Sequence, residues 1–139
     1  MSDSAKAMLT ASFAADAHAL GAHWVYNTNV IDKKYGRLEN LIAPTMAAYH
    51  RGKPAGAFTH YGDQMLLLLR LVAIHGFSPQ QFCADWRAYF SNYEGYFDGA
   101  TKTTLANLDD GVAYDQAGSN SDDLGGAARI APLVYAYRN

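Results

Sequence analysis

Apolar residues in this chain recur at helical rather than alternating spacing. Between about Ser4 and Leu20, Met8, Leu9, Ala11 and Phe13 are followed by Ala15, Ala17, Ala19 and Leu20, a surface of small residues suited to close helix packing, with Gly21 as a plausible stop. From Asp63 to His75 the chain is apolar almost all round and ends at Gly76, which predicts a helix enclosed by others at the centre of the fold. The next helix has the clearest start, with Ser78 as N-cap, Pro79 at the first helical position and Gln81 three residues after the cap. It then aligns Phe82, Trp86, Tyr89, Phe90 and Tyr93 on one aromatic face, which reads as core. A fourth helix covers roughly Ala100 to Leu108, and a fifth begins near Asp122 and runs through Arg129 toward the C-terminus. No segment alternates strictly enough for a half-buried strand, so the expected fold is all-α.

The connection from His23 to Tyr61, holding Gly36, Pro44, Gly52, Pro54 and Gly56, is long and irregular, with a short helix expected over Asn29 to Lys34. Structureless stretches of that length in a compact domain more often serve function than fill space. The Gly and Asp cluster from Gly111 to Gly126 reads as an ordered loop. Apolar character persists to the end, in RIAPLVYAYRN, without a Gly or Pro stop at Asn139. The expectation is a single all-α domain over residues 1–139 that forms the N-terminal part of a longer one.

Composition narrows the function. With 50% apolar and 17% charged residues and a formal net charge of −2, the 139 residues can build a core and do not resemble a disordered chain. Eleven Lys and Arg against thirteen Asp and Glu, scattered along the sequence, disfavour nucleic acid as a partner. The single cysteine, Cys83, sets aside a disulfide framework and fits a reducing compartment; it reads as a buried small hydrophobe. Asp3, Lys6, Asp16 and His18 interrupt any leader, and the apolar run from Met65 to Ile74 is half of a membrane span. A cytoplasmic protein with no membrane partner is expected.

Three places carry candidate chemistry. Asp16 lies in a small, apolar helical stretch, where a carboxylate is expensive to bury without a partner; it reads either as a functional group or as a bond to a neighbouring helix terminus. His18 and His23, five residues apart, make a weak metal pair. The segment from Gly56 to Met65 gathers Thr59, His60, Tyr61, Asp63 and Gln64 at the mouth of the most apolar helix, with Asp63 as its expected cap and His60 as an acid or base of near-neutral pKa. Gly125 and Gly126, followed by Arg129, allow a ligand close approach to the backbone, although the segment lacks a Rossmann or P-loop pattern. Asp109, Asp110, Asp122 and Asp123 read as solvated loop charges.

The segments ADAHALGAHWVY, GAFTHYGDQM, GATKTTLANL and GGAARIAPL, in this order, resemble the ADP-ribosylglycohydrolase family, which includes the J1 crystallins. The resemblance implies a multi-helical orthogonal bundle about twice this length. It also implies hydrolysis of an ADP-ribosyl bond to a protein side chain or small molecule, assisted by two magnesium ions held between a Thr-Asp-Asp motif and a later Asp-x-Asp-Thr/Ser motif.

Matching residue by residue, Asp16 takes the place of the aspartate in the family's Gly-Asp-Ala-Leu-Gly segment. Gly125, Gly126 and Arg129 match the turn that lies beside ADP-ribose, and with Asp16 and Tyr61 they are the implied substrate-binding residues. His60 and Asp63 are the implied catalytic pair, and Thr59 and Asp63 the implied metal ligands. The family's aspartate pair, however, falls on His60 and Tyr61 or on Tyr61 and Gly62, a poor donor set for hard magnesium. The later motif is absent, so a second chain or copy could complete the site. The resemblance therefore allows a second reading, a catalytically inactive nucleotide-sugar binder or a crystallin-like structural protein.

Overall fold

The computed structural model describes residues 3–46 and 49–138; residues 47 and 48 of the irregular connection and Asn139 lie outside the described residues. Among the described residues seven α-helices follow one another: α1 (Asp3–Ala19), α2 (Thr28–Tyr35), α3 (His60–His75), α4 (Pro79–Ser91), α5 (Gly99–Asp109), α6 (Gly125–Arg129) and α7 (Ala131–Tyr137). No strand occurs among the described residues, as expected of an all-α chain. Among the described residues no helix is long and apolar enough to cross a membrane.

The central helix is α3, which packs against α1, α4, α6 and α7. Met65 and Leu68 are buried on it, and Trp86 and Phe90 of α4 stack on each other at 4.8 Å to close the aromatic side. The enclosure is incomplete, since Ile74 at the far end of α3 is 69% exposed. The Ser78 cap of α4 forms as the sequence predicts, its hydroxyl accepting from the Gln81 amide.

Three boundaries differ from expectation. Helix α3 begins at His60 rather than Asp63, because Thr59 is the N-cap and its hydroxyl accepts from the Tyr61 amide. The expected fifth helix is two pieces, α6 and α7, broken at Ile130 just ahead of Pro132, whose ring has no amide to continue the helical ladder. Its start is at Gly125, after Asp123 turns its carboxylate onto the Gly125 amide at 2.8 Å. Helix α1 passes into a turn of 3-10 helix over Leu20–Ala22.

Gly21 in that turn is not a left-handed cap but a contact point. A Cβ there would overlap Ile42 Cγ1 and lie 2.8 Å from the Ile42 carbonyl oxygen. Gly21→Ala is therefore expected to cost about 2 kcal/mol, as overpacking against backbone does, and a urea unfolding midpoint unchanged from wild type would contradict this.

Candidate functional site

Helix α3 opens on a set of polar groups whose packing follows from its early start. Because Thr59 rather than Asp63 is the cap, His60 and Tyr61 occupy the first turn and are drawn into the protein. Thr59 is 1% exposed and is fixed by α1, with its amide donating to Asp16 Oδ2 at 2.8 Å and its hydroxyl to Asp16 Oδ1 at 2.6 Å. Asp16 thus bonds a neighbouring helix terminus, the structural alternative that its apolar setting suggests. Burial raises its pKa above 3.8 against the bonds from Thr59, with the Asp63 charge adding to the rise.

Asp63 lies close enough for that charge to act, but its own partners are on another side. Lys53 from the irregular connection approaches Asp63 Oδ2 at 2.5 Å, and the Tyr93 hydroxyl donates to the same oxygen at 2.5 Å. Lys53 also donates to the Phe58 carbonyl, which ties the connection to the helix mouth. Burial, then the bond to Asp63, pushes the Tyr93 phenol far above its usual pKa, so it stays a donor.

His60 faces a different neighbourhood. Its ring is fully buried beside His23 and His50, with centroid separations of 6.0 Å and 5.3 Å, and His23 and His50 are 5.2 Å apart. One imidazole nitrogen from each of the three lies within 4.8 Å of the others, an arrangement able to hold a metal ion. His60 Nε2 stands 3.3 Å from Asp98 Oδ2, and the other carboxylate oxygen of Asp98 caps α5 by accepting from the Thr101 amide at 2.7 Å. Burial alone raises the Asp98 carboxyl, but the His60 imidazole and the Thr101 side chain and amide hold it well below the usual carboxylate range. Trp24, Tyr49, Tyr61 and Tyr96 pack around the imidazoles.

Tyr61 joins this cluster to the second glycine segment. The Arg129 guanidinium lies over its ring at 5.7 Å, and a Cβ on Gly125 would come to 3.0 Å of Tyr61 Cε1 and 2.8 Å of Asp123 Oδ1. Arg129 also donates to Gln64 Oε1, which accepts from the Trp86 indole at 2.9 Å. Tyr61 and Asp16 line a cleft of about 470 Å³ with Ala127, Ala128 and Ile130. Gly126 and Arg129 line a second, apolar hollow of about 450 Å³ with Leu68, Phe82 and Cys83, so Cys83 is partly open.

Of the sequence-predicted residues, Asp16 and Thr59 meet directly, while Tyr61, Gly125 and Arg129 converge, with Gly126 beside them. His60 and Asp63 have separate partners. Two participants were not visible in the sequence: His50 and Lys53 stand in the irregular connection with no spacing relation to the other groups. Asp98 could have been found as an Asp three residues before Thr101 at a helix start.

No curated protein and no solved structure matches the chain significantly. The ADP-ribosylglycohydrolase family model matches residues 1–139. With helices as the only regular structure among its described residues and a family match over residues 1–139, the chain belongs to the ADP-ribosylglycohydrolase family.

Proposed function

We propose that this protein binds an ADP-ribosyl ligand and hydrolyses its glycosidic bond, with an ADP-ribosylated protein or small molecule as substrate. The family match over residues 1–139 carries the reading, and the cleft beside Tyr61 supports it. Tyr61 offers a flat wall for a ring in this cleft, and the Arg129 guanidinium, which lies over Tyr61 and borders the neighbouring hollow with Gly126, suits a diphosphate. Asp16 is the carboxyl that lines the cleft. Made more basic by burial, its carboxylate would take the proton of the water that adds to the anomeric carbon and pass one to the leaving atom.

The magnesium ions implied by the family do not fit these residues. The Thr59 hydroxyl already donates to Asp16 and accepts from Tyr61, and the Asp63 carboxylate already holds the Lys53 ammonium, a cation where a metal would need to sit.

That same engagement of Asp63 favours a second reading, an ADP-ribose binder without turnover. Release of ADP-ribose from modified protein, followed with and without magnesium, is expected to proceed equally in both. Binding without release would establish the binder, and neither binding nor release would overturn both readings. Arg129→Ala is expected to weaken ADP-ribose binding about tenfold, the loss of one charge-assisted bond, and calorimetry showing unchanged affinity would remove Arg129 from the site.

A further inference from the structure

We propose that His23, His50 and His60 form a binding site for one borderline divalent transition metal of the zinc class. The proposal is independent of the ADP-ribosyl reading, since it rests on the imidazoles alone. His23 Nε2, both nitrogens of His50 and Nδ1 of His60 are buried without a hydrogen-bond partner. An orphaned buried polar atom is destabilising, so three histidines are an expensive way to fill a core that apolar rings would fill freely. His50 is 2% exposed and His60 fully buried, which leaves water no ready access to satisfy them.

The donor set selects the metal. Three neutral imidazoles suit zinc, cobalt, nickel or copper, whereas magnesium requires oxygen ligands. Each ring binds a metal through the lone pair of one nitrogen, and no donor among the described residues engages His23 Nε2, either nitrogen of His50 or His60 Nδ1. The positive charge of Lys53 is offset by its pairing with Asp63.

Zinc bound at about 2.0–2.1 Å brings tetrahedral nitrogens to about 3.3 Å apart, so metal entry draws the imidazoles inward from their present spacing. Asp98 stands behind His60 as the carboxylate that orients a ligating imidazole in many zinc sites. Trp24, at the wall of the cluster, holds φ +62°, a strained value for a bulky residue that keeps its ring against His50 and His60. Three protein ligands leave a fourth position for water or a substrate atom.

The test begins with metal-free protein and zinc chloride in calorimetry, with cobalt chloride followed by visible absorption. One equivalent of each is expected to bind, cobalt with the intense bands of a tetrahedral site, while magnesium chloride gives no heat. His50→Gln and His23→Gln should each abolish stoichiometric binding. Asp98→Asn, which keeps the α5 cap, should weaken it 10- to 100-fold. Should the histidine variants fail to fold by circular dichroism, imidazole resonances of the wild-type protein serve instead, and those of three histidines are expected to shift together on zinc addition. No binding of either metal, or binding with full affinity in folded histidine variants, would overturn the proposal.

Discussion

Acidifying the metal-free protein from pH 7 to pH 5 is expected to remove about 4 kcal/mol of its stability. His23 and His50 have folded pKa values of about 4 and about 3, both depressed mainly by burial, against 6.5 when unfolded. Between those values the unfolded chain takes up protons that the folded chain refuses, so stability is complete above pH 6.5 and falls as pH drops toward the folded pKa. At pH 5 each histidine is about 1.5 units below its unfolded pKa, worth about 2 kcal/mol. Asp16 acts in the opposite direction, because its raised pKa lets the folded state bind its proton first, in the window between 3.8 and that raised value. Asp98, depressed by His60 and Thr101, adds a further loss only below 3.8. Urea unfolding at pH 7, 6 and 5 measures the slope, which His50→Gln should roughly halve. Equal stabilities at pH 7 and pH 5 would show the histidines to be hydrated and the cluster loose.

Asp16→Ala is expected to cost about 3 kcal/mol. It strands two donors of one nearly inaccessible residue, the Thr59 amide and hydroxyl, and each stranded donor costs about 1–3 kcal/mol. It also cuts the tie between α1 and the cap of α3, across 43 positions of sequence. Asp16→Asn should recover about half, since an amide offers one oxygen to two donors and turns its own N–H groups toward the other. A cycle with Thr59→Ala separates the pair from the cap. Asp16→Ala is expected to cost less in the Thr59→Ala background than in wild type; the difference is the share of the hydroxyl, and the remainder that of the amide, which Thr59→Ala keeps. A wild-type midpoint for Asp16→Ala would show that water replaces the carboxylate.

The fold was legible in the sequence wherever one local signal decided it. Ser78, Pro79 and Gln81 set the start of α4 without tertiary help, and the apolar surface of α3 demanded enclosure by other helices. The start of α3 was misplaced because two capping residues, Thr59 and Asp63, lie four positions apart. Asp16 decides between them by holding Thr59 from another helix, a contact that spacing cannot reveal. The break at Ile130 was foreshadowed by Pro132 but hidden within an apolar run. For the candidate site, Tyr61 and the Gly125 to Arg129 turn stood out as polar or glycine-rich helix starts, and again in the motif resemblance. The histidine cluster did not, because His23 and His50 come from a turn and an irregular connection whose course depends on Trp24 and Lys53.

Trp24 also turns the cluster into an optical gauge. Its indole lies 5.9 Å from His50 and 5.1 Å from His60, whereas the only other indole, that of Trp86, donates to Gln64 in a separate aromatic layer. Imidazolium and many bound transition metals quench a neighbouring indole, so the emission of one residue reports the chemical state of the histidines. The emission of the other reports whether the layer between α3 and α4 remains closed, and one spectrum therefore separates a local change at the imidazoles from loosening of the whole protein.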